Sequence, residues 1–208
     1  MAYKQSPKHV ALSIECSDEQ NLDLRPIHEL IKTCVAQKIP ILTINLCSAI
    51  NETDILTWFF SSLKGWTYIT ENQIKVSVLG KWYSLPSRLV EPIKAIIAET
   101  KDYDAFFVNF CLNYDGQEEI VDACKLVSMQ VKLDKLDPEN IDKQTIKENT
   151  YSSFFMPPDL IIKTGKTRTT EGFLLWDSAN AKIIFTDKKW RDFSQKDFVR
   201  AVESWEKI

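Results

Sequence analysis

Three cations stand close together near the end of this 208-residue chain: Lys163, Lys166 and Arg168, within Lys163-Thr164-Gly165-Lys166-Thr167-Arg168. Such a cluster can hold a phosphate-bearing anion, and a solvated basic loop accounts for it equally well. The Gly-Lys-Thr step resembles part of a nucleotide-binding loop. That loop needs another glycine five positions before Gly165, so that backbone N–H groups can wrap the phosphates. Position 160 is Leu, which excludes ATP binding of this kind. His9 and His28 have neither zinc-site spacing nor partners for a Ser-His-Asp array. His9 is expected to cap the start of the first strand, and His28 to sit near the exposed side of the first helix. Cys16, Cys34, Cys47, Cys111 and Cys124 form no C-x-x-C pair and are expected to be reduced, mostly buried thiols.

The elements that position these residues follow from hydrophobic periodicity. Short apolar runs at 10–14, 41–47, 74–79, 105–112, 160–163 and 182–186 read as strands, several of them buried on both faces. Between them, helical spacing appears in Ile27, Leu30, Ile31 and Cys34, and in Leu56, Phe59, Phe60 and Leu63. It recurs in Ile120, Cys124, Val127 and Val131, and in Phe198, Ala201, Val202 and Trp205. Asp115 with Glu118, and Ser194 with Asp197, are placed as N-caps with third-position acids. The alternation predicts one α/β domain over 1–208, with about six mainly parallel strands flanked by helices. Residues 132–149, rich in both charge signs, are expected to form a solvated helix, a turn and a second helix. Trp58, Phe59 and Phe60 are expected to be helix core.

Lys and Arg number 26 against 29 Asp and Glu, so no basic footprint for nucleic acid exists. No stretch of 18 apolar residues and no secretory pattern is present, and a cytoplasmic location is expected.

The segment from Pro157 reads PPDLIIKTGKTRTTEGFLLWDSANAKIIFTDKKWRDFSQKDFVRAV. It resembles the C-terminal part of the cis-prenyltransferases, the undecaprenyl diphosphate synthase family. Their pattern is P-x-D-L-x-I-R-T-G-G, six variable positions, F-L-L-W, then F-T-D and W-P-D-F. Asn113-Tyr114-Asp115-Gly116 resembles the family's N-Y-G-G, His9-Val10-Ala11 its opening H-V-A, and Cys47-Ser48 with Asn51 its F-S-x-E-N. The resemblance implies a sheet-and-helix fold with a tunnel for a growing isoprenoid. It also implies magnesium between two diphosphates, and dimer contacts around F-L-L-W and F-T-D, here Phe173, Leu174, Leu175, Trp176 and Phe185.

The departures concern the diphosphate sites. Where catalytic members carry M-D-G-N-G-R-W, this chain has Ile14-Glu15-Cys16-Ser17-Asp18-Glu19-Gln20. Glu15 takes the position of the metal-holding Asp, and acids replace glycines and an arginine. Lys163 and Thr169 stand for two arginines, Glu171 for a serine, Lys182 for a later metal-associated glutamate, and Glu52 for a tryptophan. Lys182 is expected to pair with Glu15 or Glu171 across the vacated site. Bulky Leu46 and Leu112 stand where long-chain members often carry alanine, which narrows the tunnel.

Asp159 to Trp176, read as D-L-x-x-K-x-G, six residues, G-F-L-x-W, also resembles Nogo-B receptor-type subunits, which share the fold and support a catalytic partner. Those subunits end in R-x-G, whereas this sequence ends in Glu206-Lys207-Ile208; support of a partner is therefore expected to come from packing or from other residues. The expectation is a non-catalytic subunit of a heteromeric cis-prenyltransferase, paired with a catalytic subunit or with itself, and in contact with the membrane periphery. The alternative is a divergent prenyltransferase performing atypical condensation or cyclisation. In either case Lys163, Lys166, Arg168, Ser48 and Asn51 are the candidate diphosphate contacts. No metal or cofactor is assigned to this chain, and magnesium belongs to the catalytic partner.

Overall fold

The computed structural model describes residues 6–15, 22–46, 49 and 51–205. Six strands form one sheet: β1 (His9–Ser13), β2 (Ile41–Asn45), β3 (Ile74–Leu79), β4 (Phe106–Cys111), β5 (Leu160–Lys163) and β6 (Lys182–Phe185). All five pairings are parallel, in the order β3-β4-β2-β1-β5-β6. Parallel neighbours require crossover connections. These carry α1 (Pro26–Ala36), α2 (Thr53–Lys64), α3 (Thr67–Glu71), α4 (Ser87–Thr100), α5 (Gly116–Lys132) and α6 (Lys143–Glu148), with α7 (Gln195–Glu203) closing the domain.

The alternation of side chains along each strand divides the interior in two. Val10, Leu12, Leu42, Ile44, Val108, Phe110, Leu160 and Ile162 face the larger core. There Phe59, Phe60 and Phe110 meet edge to face with ring centres 5.3–5.4 Å apart, the geometry that aromatic quadrupoles favour. Phe59, Phe60, Leu46 and Leu112 are fully buried, as their patterns predict. Trp58 departs from expectation. It is 51% exposed and borders an open cleft of about 490 Å³ with Leu22, Leu24, Arg25, Asp54 and Ile55, because one turn of α2 cannot point three consecutive side chains inward.

The other face is thinner and carries a polar row. Ala11, Cys111, Ile161, Phe173 and Leu174 pack there around a buried chain from His9 to Asn109. His9 Nδ1 lies 2.6 Å from the Met156 carbonyl, and its Nε2 lies 2.8 Å from Thr43 Oγ1. A carbonyl only accepts, so Nδ1 carries the proton in the neutral ring and Thr43 donates to Nε2. Asn109 Nδ2 donates to Thr43 Oγ1 at 3.1 Å. His9 therefore ties β1 to β2 and to the segment before β5, where the sequence suggested only a strand cap. His28 is half-buried, edge-on to Phe59 and Trp66 at 5.7 and 4.5 Å.

Several features differ from the sequence reading. The four helical spacings correspond to α1, α2, α5 and α7, but α4 escaped them because Pro92 interrupts its apolar set Leu89, Val90, Ile93 and Ile96. The first of two helices expected over 132–149 is a single turn, Pro138–Asn140. Asp142 restarts the chain as α6 through a capping box with Thr145. Ser194 and Asp197 form the expected reciprocal cap of α7. Asp115 caps α5 by accepting from Gln117 and Glu118 N–H groups, while the Glu118 carboxylate turns to Lys81 at 2.8 Å.

Candidate functional site

The chain leaves β1 toward β2 on one side, while β5 pairs with β1 on the other. In open α/β sheets, the crevice at the carboxyl ends of strands beside such a switch point is the favoured ligand site. Its residues here are Glu15 after β1 and Lys163, Thr164 and Gly165 at the end of β5.

These residues bind one another closely. Glu15 N–H donates to Thr164 Oγ1 at 3.1 Å, and Thr164 N–H donates to the Ser13 carbonyl at 3.0 Å. Gly165 adopts φ +93°, a conformation that costs glycine least. The Glu15 carboxylate lies where a side chain at 165 would have to go: a Cβ there would collide with Glu15 Oε2. The Gly165 N–H is already engaged, donating to the Lys188 carbonyl at 2.8 Å.

Lys163 is only 2% exposed, and its Nζ donates to Glu171 Oε2 at 2.7 Å. A buried ammonium needs a counter-charge because desolvation without one is costly. Glu171, 54% exposed at its side chain, supplies it from a turn in which Glu171, Gly172 and Leu174 have φ +50°, +77° and +48°.

The expected cation cluster does not converge. Arg168 pairs with Asp187 and lies over the Phe185 ring, 5.8 Å from its centre. Lys166 is exposed, as is Asn51 at the turn before α2. Ser48, Cys47 and residues 16–20 lie outside the described residues. Lys182, expected to bridge to Glu15 or Glu171, instead donates to the Ser204 carbonyl at 2.6 Å, since the start of β6 lies at the opposite end of the strands from Glu15. Phe173 and Leu174 are 1% exposed and belong to the chain's own core, so they lie behind the surface rather than on it. Leu175 is exposed, and Trp176 and Phe185 are half-buried.

Sequence reasoning missed a buried ionic network behind this segment. Lys147 Nζ donates to Asp177 Oδ2 at 2.6 Å, and Ser152 Oγ donates to the same oxygen at 2.7 Å. Glu119 accepts from Tyr114 OH at 2.6 Å and from Ser152 N–H at 3.2 Å; burial holds its pKa above the usual carboxylate range. In sequence Glu119 is the acid of Glu119-Ile120-Val121, which resembles the family's [DE]-I-V, and nothing there marks it as buried. Its offset of about 100° from Glu118 around the helix carries it to the inner face, where it is buried.

Among the described residues, no three His, Cys, Asp or Glu side chains come together to hold a cation. Glu171 is engaged with Lys163.

The family model for undecaprenyl diphosphate synthases matches residues 19–208. The chain belongs to the cis-prenyltransferase family. Within that family it is 32% identical over 192 residues to tritrans,polycis-undecaprenyl-diphosphate synthase (geranylgeranyl-diphosphate specific) of Thermoplasma volcanium, covering 87% of this chain and 74% of that one. The synthase of the same description from Methanocaldococcus jannaschii is 36% identical over 137 residues, covering 65% of this chain but only 49% of its own length. This chain thus spans about half of that relative. The fold matches lavandulyl diphosphate synthase from Lavandula x intermedia, solved with dimethylallyl diphosphate, at TM-score 0.83 and 22% identity, over 96% of this chain and 95% of that one. The cis-prenyltransferase fold expected from the sequence, one domain with a six-stranded parallel sheet, is therefore the fold observed. No helix among the described residues is long and apolar enough to cross a membrane.

Proposed function

We propose that this chain is a non-catalytic subunit of a heteromeric cis-prenyltransferase, supporting a catalytic partner that builds polyprenyl diphosphates from isopentenyl diphosphate and an allylic diphosphate. One observation carries the reading: the crevice where two polyanions would have to meet is lined by the chain's own carboxylates. Glu171 neutralises the buried Lys163, Glu15 fills the space at Gly165, and the Gly165 N–H serves Lys188. A further anion beside these carboxylates is repelled rather than bound. The D-L-x-x-K-x-G…G-F-L-x-W pattern, resembling Nogo-B receptor-type subunits, supports the same role. Exposed Leu175 and the half-buried Trp176 and Phe185 are the surface offered to the partner. Magnesium is the partner's cofactor.

The synthase names of the relatives favour a second reading, a rewired enzyme performing atypical condensation or cyclisation. One assay separates the two. The isolated chain, given isopentenyl diphosphate, an allylic diphosphate and magnesium, should form no product. Mixed with a catalytic homologue from the same genome, it should co-purify and raise that protein's turnover. Turnover by the isolated chain of about 1 per second or more, as ordinary enzymes show, would establish the enzyme reading instead.

A further inference from the structure

A second cleft, of about 570 Å³, has neither Glu15 nor Lys163 in its lining. Its walls come from α5 at Ile120, from α6 at Lys143 and Lys147, and from Leu175, Trp176 and Asp177 of the turn before β6. Its volume lies within the ordinary range of small-molecule sites, and its mixture of apolar wall with a few polar groups is theirs as well.

Asp177 is the wall residue with an unmet demand. Its side chain is 3% exposed. Oδ2 accepts from Lys147 Nζ at 2.6 Å and from Ser152 Oγ at 2.7 Å. Oδ1, equally shut off from solvent, accepts no hydrogen bond from the described residues. A buried oxygen of this kind carries the cost of its lost hydration until a donor meets it. Lys147 cannot be that donor. Its three protons already serve the Ser152 carbonyl, Ser152 Oγ and Asp177 Oδ2, at 2.9, 3.0 and 2.6 Å.

Charge narrows the class of group that fits. Lys147 neutralises Asp177, and exposed Lys143 stands at the same cleft. A cationic ligand would meet two ammonium groups, and an anionic one would meet the Asp177 carboxylate. A neutral group with one donor on an apolar body meets neither penalty. Trp176, half-buried in the wall, offers its ring to an aromatic body.

We propose that this cleft binds a neutral aromatic group with a single N–H or O–H donor, an indole or a phenol. The ring packs on Trp176, Leu175 and Ile120, and the donor meets Asp177 Oδ1. Because Oδ1 is closed to solvent, entry requires a side chain of the wall to move. Lys143 and Gln144, both exposed, have the room to do so. The group arrives either as a free small molecule or as a tyrosine or tryptophan side chain of a protein packed on Leu175 and Trp176. The site stands apart from the subunit reading, and its test needs neither a prenyl substrate nor a partner.

The test titrates the full-length, isotope-labelled chain by NMR with indole and with N-methylindole, which keeps the ring and loses the donor. N-acetyltryptophanamide, benzamidine and benzoate are titrated separately. Losing one hydrogen bond to a charged acceptor corresponds to about 10- to 100-fold in affinity. Indole should bind saturably, shift the Trp176 side-chain N–H and the Ile120 amide, and exceed N-methylindole by that factor. Cationic benzamidine and anionic benzoate should bind more weakly than indole. Tighter binding of indole than of N-acetyltryptophanamide identifies a free ligand and the reverse a protein side chain; either supports the site. Ala179→Phe fills the cleft from an exposed position and should abolish binding. Asp177→Asn, with its amide oxygen toward Lys147, puts a donor in place of Oδ1 and should make indole and N-methylindole equal. If that variant does not fold, the wild type and Ala179→Phe still decide. No saturable binding of indole, which is the result expected if Oδ1 is met by water alone, overturns the proposal. So does equal affinity of the wild type for indole and N-methylindole, a preference for either charged probe, or indole binding that survives in a folded Ala179→Phe. Turnover by the isolated chain would sink the subunit reading and leave this site standing.

Discussion

The Gly172 carbonyl occupies the volume that a Cβ on Gly116 would need, and Leu175 Cβ lies 2.7 Å from the same point. The N-terminus of α5 thus rests directly on the turn that carries Glu171. Gly116→Ala forces backbone against backbone, and we expect it to cost about 3 kcal/mol. Gly172→Ala meets only Gly116 N, at 3.7 Å, but must hold φ +77°, at about 1 kcal/mol. Urea denaturation of both variants should give that order; the reverse would show that the turn yields more easily than the helix end.

His9 sets a pH dependence. Burial lowers its pKa from 6.5 to about 4, so between those values the unfolded chain binds more protons than the folded one. The contribution of His9 is complete above about pH 6.5 and falls as pH drops toward 4, by about 3 kcal/mol. Glu119, whose pKa burial raises, changes stability in the opposite sense. The comparison is therefore between wild type and His9→Gln in urea at pH 4.5 and 7.5. The wild type should lose more stability than the variant on acidification, and equal slopes would place the pH dependence elsewhere.

Lys147 faces two buried carboxylates, Asp177 directly at 2.6 Å and Glu119 through Ser152. With 12% and 3% exposure for Lys147 and Asp177 side chains, removing the cation leaves uncompensated buried charge. We expect Lys147→Met to cost about 3–5 kcal/mol at pH 8, and less at pH 5, where Glu119, whose pKa burial raises, takes up a proton. A cost independent of pH would mean that lost packing, not charge, dominates.

Charging the segment after Gly172 should separate folding from assembly. Leu175 is 38% exposed whereas Phe173 is 1% exposed. Leu175→Glu should leave thermal unfolding within about 1 kcal/mol of wild type while abolishing self-association or partner capture in sedimentation. Phe173→Glu should fail to fold, since it buries a charge in the core. Retention of the oligomeric state by Leu175→Glu would move the interface to another face.

Much of the architecture is local and was legible in the residues. Runs such as 74–79 and 160–163, and the i, i+3, i+4 sets of α1, α2, α5 and α7, carry their own periodicity, and the cap at Ser194 with Asp197 needs only four consecutive residues. The motifs from Pro157 to Phe193 marked the family in the same way, because the order of residue types survives without coordinates. Pro92 hid α4, since a propensity rule weighs that residue more heavily than the packing of α4 on α2 and β3 does. The identity of each ion pair was beyond the sequence. Lys163 finds Glu171 eight positions away, Lys182 finds the Ser204 carbonyl instead of an acid, and Lys147 finds Asp177 thirty positions on. The sequence determined which charges the crevice contains. Only the tertiary structure decided which of them are desolvated, and desolvation is what makes a charge choose one partner and hold it.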